Sequence, residues 1–384
     1  MSGKILLCAT VDYHFSAFHL PYMKWFKERG WEVHVAANGE KDLPYVDKKY
    51  HLPIQRSPFC RANIDAYRKL KGIIEENQYN LIHCHTPVGG VLARLAAREV
   101  RKTGTKVLYT AHGFHFCKGA PILNWMIYYP IEKKFAQFTD CLITINQEDY
   151  QTAFTHQFKA ERIEHVHGVG VDTSHFQPAS HHEKNELRKS YGYNSDDFLL
   201  FYGAEFNQNK NQQLLIRSVN EIKSKVPNVK LVLAGDGPLL ADCKELTQKL
   251  SLEKIVHFLG YRTDMKSLLS ISDVAVASSL REGLPVNIME AMACGLPVVA
   301  TDNRGHRELI KNDRNGWVIT DQDEKEFSEK IKLLSRDPEL RKSYGMSGRK
   351  LMESTYSLTK VLEEKSKLYS SYMKEQEGVM WAVH

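Results

Sequence analysis

The feature that most constrains this chain is a rhythm of short apolar runs alternating with longer segments of mixed polarity. It runs through the first half, breaks once, and starts again. KILLCAT (4–10), WEVHVAA (31–37), YNLIHCH (79–85), TKVLYTAH (105–112) and CLITIN (141–146) read as buried strands, and the short VHGVG (166–170) closes the series. Helical spans fall between them, at 20–29, 63–76 and 88–101. The charged stretch 178–197 interrupts the pattern and reads as a linker. FLLFYGA (198–204), a helix over 211–224, NVKLVLAGDG (228–237), KIVHFLGY (254–261), DVAVASS (273–279) and LPVVATD (296–302) then resume it. Strands alternating with helices of this length predict βα units and mostly parallel sheets. The predicted fold class is α/β, with two Rossmann-like domains facing a central cleft. Their expected limits are 1–172 and 173–364. Residues 365–384 continue a helix that packs on the second domain or returns to the first, with Leu362, Leu368 and Tyr372 at helical spacing. The apolar tail EGVMWAVH is expected to dock or fray.

At 384 residues the chain is long enough for two such domains. No apolar run is long enough to span a membrane, and MSGKILLCATVDYHF reads as a first strand, not a signal peptide. The seven cysteines are scattered, odd in number and without a CxxC pair, which argues against a disulfide scaffold and suits the cytosol. The net charge is +6, and residues 1–172 carry 22 Lys/Arg against 17 Asp/Glu. That balance favours an anionic membrane surface or a lipid diphosphate. Nucleic acid is the weaker partner, because no recognition motif accompanies the charge.

The densest chemistry lies in EGLPVNIME (282–290). Glu282 and Glu290 flank a tight turn formed by Gly283, Leu284 and Pro285, and a helix beginning after Pro285 presents free N–H groups and a positive dipole end. That is a phosphate site, with the carboxylates suited to sugar or ribose hydroxyls. A capped helix with a surface glutamate gives the same spacing. Lys210 stands between a strand and a helix, where an ammonium meets a phosphate together with the helix dipole. The neighbouring Glu205 opposes a diphosphate unless it binds hydroxyls or pairs with Lys210. Tyr261 and Arg262, in LGYRTDM, follow a strand exit suited to reading a base. Arg304 and His306 in TDNRGHREL suit phosphate or sugar, and Gly305 between them permits close backbone approach. Each of these segments also reads as an ordinary surface loop.

In the first half, His14, His85 and His112 each stand at or just beyond the carboxyl end of a strand, where parallel sheets bind ligands. HCH (83–85) finds no matching third and fourth ligands, so no metal site is expected. No Asp-x-Asp offers a cation site for a diphosphate. GxGxxG after the first strand and GxxxxGK[ST] are both missing, which disfavours a dehydrogenase and a P-loop kinase; AGDGP (234–238) reads as a turn. The run 114–138 carries Phe114, Phe116, Trp125, Tyr128, Tyr129, Phe135 and Phe138, with Lys118, Lys133 and Lys134 interleaved. It suits either core packing or an amphipathic patch at a lipid surface.

Together these features resemble the retaining glycosyltransferases of family 4, which have the GT-B fold, over nearly the full length. EGLPVNIMEAMACGLPVVATD (282–302) is similar to that family's most diagnostic block. The NKNQQLLI segment, LVLAGDGP, HFLGYRTDM and the histidine of YTAHGFHF follow in family order. Within the family the chain is most similar to bacterial exopolysaccharide and capsule enzymes, of the kind found in a Bacillus biofilm-matrix operon.

The resemblance implies roles for individual residues. Glu290 would hold the ribose. Glu282 and the backbone of 283–285 would face the donor sugar and diphosphate. Lys210 would neutralise the diphosphate, Arg262 with Tyr261 would border the base, and His112 would line the reaction site. His14, Phe15 and His85 fall on the acceptor side. Glu205 stands where many members carry an arginine, and Arg304 is a candidate to replace that charge. The first loop, VDYHFSAF, lacks the double glycine of many relatives. The implied reaction moves a hexose or N-acetylhexosamine, with N-acetylglucosamine the first choice, from a UDP-sugar to an undecaprenyl-diphosphate-linked saccharide. It would proceed with retention, without cofactor or metal, on the inner face of the cell membrane, with polysaccharide-assembly enzymes as possible partners. A UDP-N-acetylglucosamine epimerase and a non-catalytic sugar-nucleotide-binding protein are the alternatives.

Overall fold

A computed structural model describes residues 3–382, with the side chains of 321 and 374–382 outside the description. The docking expected of the apolar tail therefore lies outside the described residues. The chain divides into two units, one comprising the residues up to Val169 and those from Val361 onward, the other Gly170–Lys360.

The first unit is built on a seven-stranded sheet in the order β3-β2-β1-β4-β5-β6-β7. The strands are β1 (Lys4–Val11), β2 (Glu32–Asn38), β3 (Lys48–His51), β4 (Leu81–His85), β5 (Lys106–Ala111), β6 (Cys141–Thr144) and β7 (Arg162–His165), all paired in parallel. Every residue of β4 is buried, as a central strand covered on both faces requires. Among them are His83 and His85, whose polar rings are thereby placed inside the unit. The long helix Leu358–Ala382 lays Val361, Lys365, Tyr369 and Tyr372 into this unit. The Tyr369 hydroxyl is 2.8 Å from His83 Nδ1, and Tyr372 donates to the Asp140 carbonyl at 3.3 Å.

The second unit holds a six-stranded parallel sheet in the order β10-β9-β8-β11-β12-β13. Its strands are β8 (Phe198–Gly203), β9 (Val229–Ala234), β10 (Val256–Phe258), β11 (Val274–Ala277), β12 (Val298–Thr301) and β13 (Gly316–Ile319). The stretch expected to be a linker contains instead a helix, His181–Ser190, capped by the Ser180 hydroxyl. Its cationic residues carry its packing: Lys184 and Arg188 both bind Asp273, at 2.8 and 2.7 Å, while Asp273 accepts from the Leu199 amide at 2.8 Å. A helix docked through charge has no apolar stripe to betray it.

The aromatic run 114–138 is mostly interior. Phe114 and Phe116 are buried and stack with centroids 4.7 Å apart, and Trp125, Tyr128 and Tyr129 pack on the same core. The helix Ile122–Phe135 is anchored by Glu132, which is buried and binds Arg94 at 2.8 Å and the Tyr109 hydroxyl at 2.9 Å. The expected belt of lipid-facing aromatics is corrected on this point. What the helix exposes is aliphatic: Ile122, Leu123 and Met126 are 78, 61 and 69% accessible. Lys118, Lys133 and Lys134 are exposed as well.

Candidate functional site

In the second unit the strand order reverses between β8 and β11, the switch point at which open parallel sheets bind ligands. Three loops meet at these carboxyl ends. The loop after β8 is joined to the loop after β11 by hydrogen bonds from the Leu280 amide to the Asn209 carbonyl (2.7 Å), from the Asn209 side chain to the Arg281 carbonyl (2.9 Å) and from the Ser278 hydroxyl to the Lys210 carbonyl (2.7 Å). These contacts hold Lys210 just ahead of the helix Gln212–Ile222, with its ammonium 2.5 Å from the Glu282 carboxylate. Glu205, the other expected partner, binds Asn207 at 3.0 Å.

The third loop follows β12. Arg304 is buried, and its Nε donates to the Glu282 carbonyl at 3.0 Å, bracing the 282–285 turn from behind. Gly305 makes this possible: a Cβ there would lie 2.8 Å from that of Glu282. His306 is buried with Nδ1 2.6 Å from the Thr301 carbonyl, and its Nε2 finds no partner among the described residues. Leu284 and Pro285 are buried, while Gly283 is half-buried.

The helix Val286–Ala293 begins directly after this turn and is tied to the end of β8 by a 3.0 Å bond from the Asn287 side chain to the Gly203 carbonyl. Glu290 projects from it, half-buried. Burial alone pushes its carboxyl up to about 7, and among the described residues neither cation nor hydrogen-bond donor meets it. A recessed carboxylate of this kind is an acceptor for ligand hydroxyls. The loops after β8, β9 and β10 line a cavity of about 340 Å³, with Gly203, Glu205, Gly235, Tyr261, Arg262 and Met265 among its walls. Gly235, at φ +142°, lets β9 exit against the Ala204 carbonyl, which a Cβ would approach to 2.0 Å. Tyr261 is 75% accessible at the rim. Arg262 lines the cavity, with its Nε and one Nη held in a fork by Asp264 at 2.8 and 2.5 Å.

In the first unit, the three adjacent strands β1, β4 and β5 deliver His14, His85 and His112 to one place. His85 Nδ1 lies 3.2 Å from His112 Nε2, and His14 Nε2 lies 3.1 Å from Nε2 of His19, which the sequence reading did not single out. Burial, with the nearby Lys365, holds His14 down to about 4. His19, His85 and His112 are also held well below the ordinary imidazole value, first by burial and then by nearby positive charge from neighbouring imidazoles, with Lys365 adding to it at His19 and His112. The rings are therefore neutral at ordinary pH. Phe15 is fully buried, with its ring centroid 6.1 Å from that of His85. Its side chain is thereby packed inside the unit, next to the histidines. Thr86, just after His85, is held at φ +63° by a 2.7 Å contact between its hydroxyl and that of Thr10. A non-glycine residue in that conformation marks a turn fixed by its surroundings.

Lys365 is also absent from the sequence reading. Its amine is buried 4.5 Å from the Tyr22 ring centroid, has no hydrogen-bond partner among the described residues, and is lowered by burial to about 7. Its signal was a lysine at the helical spacing of Val361, Leu368 and Tyr372.

Residues 183–351 match the family model described as glycosyl transferases group 1, and residues 22–175 match glycosyltransferase family 4. A Bacillus subtilis (strain 168) protein named as the glycosyltransferase EpsD is 52% identical over 97% of this chain and 98% of its own length. The chain belongs to the family 4 glycosyltransferases. An Escherichia coli member, named as a UDP-Gal:α-D-GlcNAc-diphosphoundecaprenol α-1,3-galactosyltransferase, is 30% identical over 68% of each chain. The crystal structure of Anabaena HepE with UDP and glucose has a TM-score of 0.80 at 19% identity, covering 96% of this chain and all of that one. The two parallel-sheet units of this family 4 enzyme are thus those of the GT-B fold.

Proposed function

We propose that this glycosyltransferase moves a hexose or N-acetylhexosamine from a UDP-sugar to a saccharide carried on undecaprenyl diphosphate, with retention at the anomeric carbon. N-acetylglucosamine is our first choice of sugar. The observation that carries the donor half is the Lys210–Glu282 pair at the β8/β11 switch point, in the same unit as the recessed Glu290 and the cavity after β8, β9 and β10. The acceptor half rests on the E. coli relative, whose name specifies a diphosphoundecaprenol-linked sugar.

In this reading Glu290 takes the ribose hydroxyls, and the base lies in the cavity against Tyr261 and the face of Arg262. The diphosphate meets Lys210 and the amino end of the Val286–Ala293 helix. As the bond from the anomeric carbon to the diphosphate oxygen breaks, negative charge grows on that oxygen, and these fixed positive groups stabilise it. The acceptor hydroxyl attacks from the same face, and its proton passes to the departing oxygen. No double displacement by two carboxylates is involved, and no Mg²⁺ or Mn²⁺ is required on the diphosphate. Arg304 acts through the turn it braces. His112 lines the transferred sugar, with His14 and His85 on the acceptor side.

A polyprenyl acceptor does not leave the bilayer, so we place the enzyme on the cytoplasmic face of the membrane. The exposed Ile122, Leu123 and Met126, with Lys118, Lys133 and Lys134 on the same segment, are the docking surface. The test is a panel of labelled UDP-sugars incubated with enzyme and lipid-linked mono- and disaccharides, with the product anomer assigned by NMR. One UDP-sugar giving an α-linked lipid product supports the reading. A free 2-epimeric sugar would instead show the epimerase, and tight UDP binding without product across the panel would show a silent binding protein.

A further inference from the structure

The expectation of no metal site in the first unit rested on a lack of ligands beyond His83 and His85. Folding changes that inventory. His83 is spoken for, with Nδ1 on the Tyr369 hydroxyl and Nε2 on the Thr110 hydroxyl, both at 2.8 Å. His85 is joined instead by three imidazoles that are remote in sequence or on another element. We propose that His14, His19, His85 and His112 form a binding site for one divalent transition-metal ion of the zinc class.

The argument is geometric. One ring nitrogen from each of the four residues lies within 4.8 Å of all the others. Two neighbouring pairs already stand at 3.1 and 3.2 Å. A zinc ion with nitrogen ligands at its usual bond length spans about 3.4 Å between ligands of a tetrahedron. The two close pairs are thus near ligand spacing, and the wider separations need to contract by about an ångström. His14 and His112 are the partly accessible members of the set, while His19 and His85 are buried in the interior. The scaffold is regular structure, because His85 ends β4, His112 follows β5, His14 lies in the first turn of the helix Tyr13–Phe18 and His19 caps its end.

The donor chemistry selects the ion. Imidazole suits zinc, copper, nickel and iron, whereas magnesium and calcium take oxygen. With no carboxylate in the set, a bound dication keeps its full charge and attracts an anionic oxygen as a further ligand. It also favours the neutral form of the nearby Lys365 amine. The proposal does not rest on the glycosyltransferase reading. A loaded ion engages one nitrogen of His112 and leaves the rest of its ring edge for a sugar.

The test uses the full chain, freed of metal by a chelator and dialysed. Zn²⁺ is titrated by calorimetry and Co²⁺ by visible absorption. We expect one equivalent bound per chain, with the d–d bands of a nitrogen-ligated low-coordinate Co²⁺. His19→Ala is expected to weaken Zn²⁺ binding at least tenfold, and His14→Ala to do the same. The control is His181→Ala, on an exposed helix face of the second unit, which leaves binding unchanged. The proposal is overturned by wild-type protein that takes up no Zn²⁺ at micromolar concentration, a result that needs no variant to fold. Equal binding by wild type and both histidine variants overturns it too.

Discussion

The ammonium of Lys210 and the carboxylate of Glu282 are 2.5 Å apart although 72 residues separate them in sequence. Neither residue is exposed enough for water to weaken the pair fully, at 22 and 15% side-chain accessibility. Each therefore holds the other in place. On the proposed reading, a diphosphate arriving at the same point would compete for the lysine and leave the glutamate to accept from the donor sugar.

That exchange makes the two residues separable by kinetics. Lys210→Ala is expected to lower kcat more than it weakens UDP binding, because the charge it meets grows during bond cleavage. Loss of a charge-assisted hydrogen bond costs about 1.5–3 kcal/mol, or roughly 10–150-fold. Glu282→Ala is expected to cost turnover in the same range. Steady-state kinetics with both variants within twofold of wild type would remove the pair from the mechanism.

Glu290 supplies a pH signature. Its carboxyl sits at about 7 in the free protein, and ribose hydroxyls donate to the charged form. Donor binding must then expel a proton whenever the pH is below about 7. Affinity for UDP should rise as pH climbs from 5.5 toward 7 and level off above it. Glu290→Gln is expected to flatten this dependence, and Glu290→Ala to lose most of the donor affinity. Calorimetry in buffers of different ionisation enthalpy checks the proton release directly. A wild-type profile as flat as that of the glutamine variant would contradict the assignment.

Magnesium and manganese are expected to be dispensable. Enzyme treated with a chelator and then supplied with either ion should change turnover by less than twofold, because the proposed mechanism gives the cation's role to Lys210 and the helix end. Activity restored severalfold by Mg²⁺ or Mn²⁺ would show a cation on the diphosphate. Restoration by Zn²⁺ alone would point to the histidine cluster.

Membrane docking is assigned to aliphatic residues, which gives it a specific test. Replacing Ile122, Leu123 and Met126 with serine should reduce flotation with anionic liposomes and turnover on a long-chain lipid acceptor, and leave turnover on a short soluble acceptor within twofold. Fully burying such a side chain is worth about 1.5–3 kcal/mol, so even partial insertion of three is measurable. Unchanged flotation would move the docking surface elsewhere.

The architecture was legible because the central strands are covered on both faces and must be continuously apolar. KILLCAT and NVKLVLA announce themselves for that reason. The edge strand β3, KKYH, is polar and half-exposed, and escaped. So did the His181–Ser190 helix, whose docking runs through Asp273 and not through an apolar stripe. In the donor site, Lys210, Glu282 and Glu290 stood out because strand-to-helix junctions are where parallel sheets place ligands. Their pairing was not legible: Glu205 was the nearer candidate for Lys210, and only the bonds between the loops after β8 and β11 show that Glu282 is the partner. Aromatic content alone did not say which way the 114–138 run faces, because Trp and Tyr serve cores and interfaces alike. His19 and Lys365 were missed because nothing local marks a polar side chain whose partners come from distant segments.

The most direct measurement of the central claim is UDP release followed with and without a lipid-linked acceptor, using the preferred UDP-sugar. The account predicts that UDP appears only when acceptor is present, in a one-to-one ratio with a new α-glycosidic product. UDP released at the same rate without acceptor, or acceptor consumed to give a β-linked product, would contradict it.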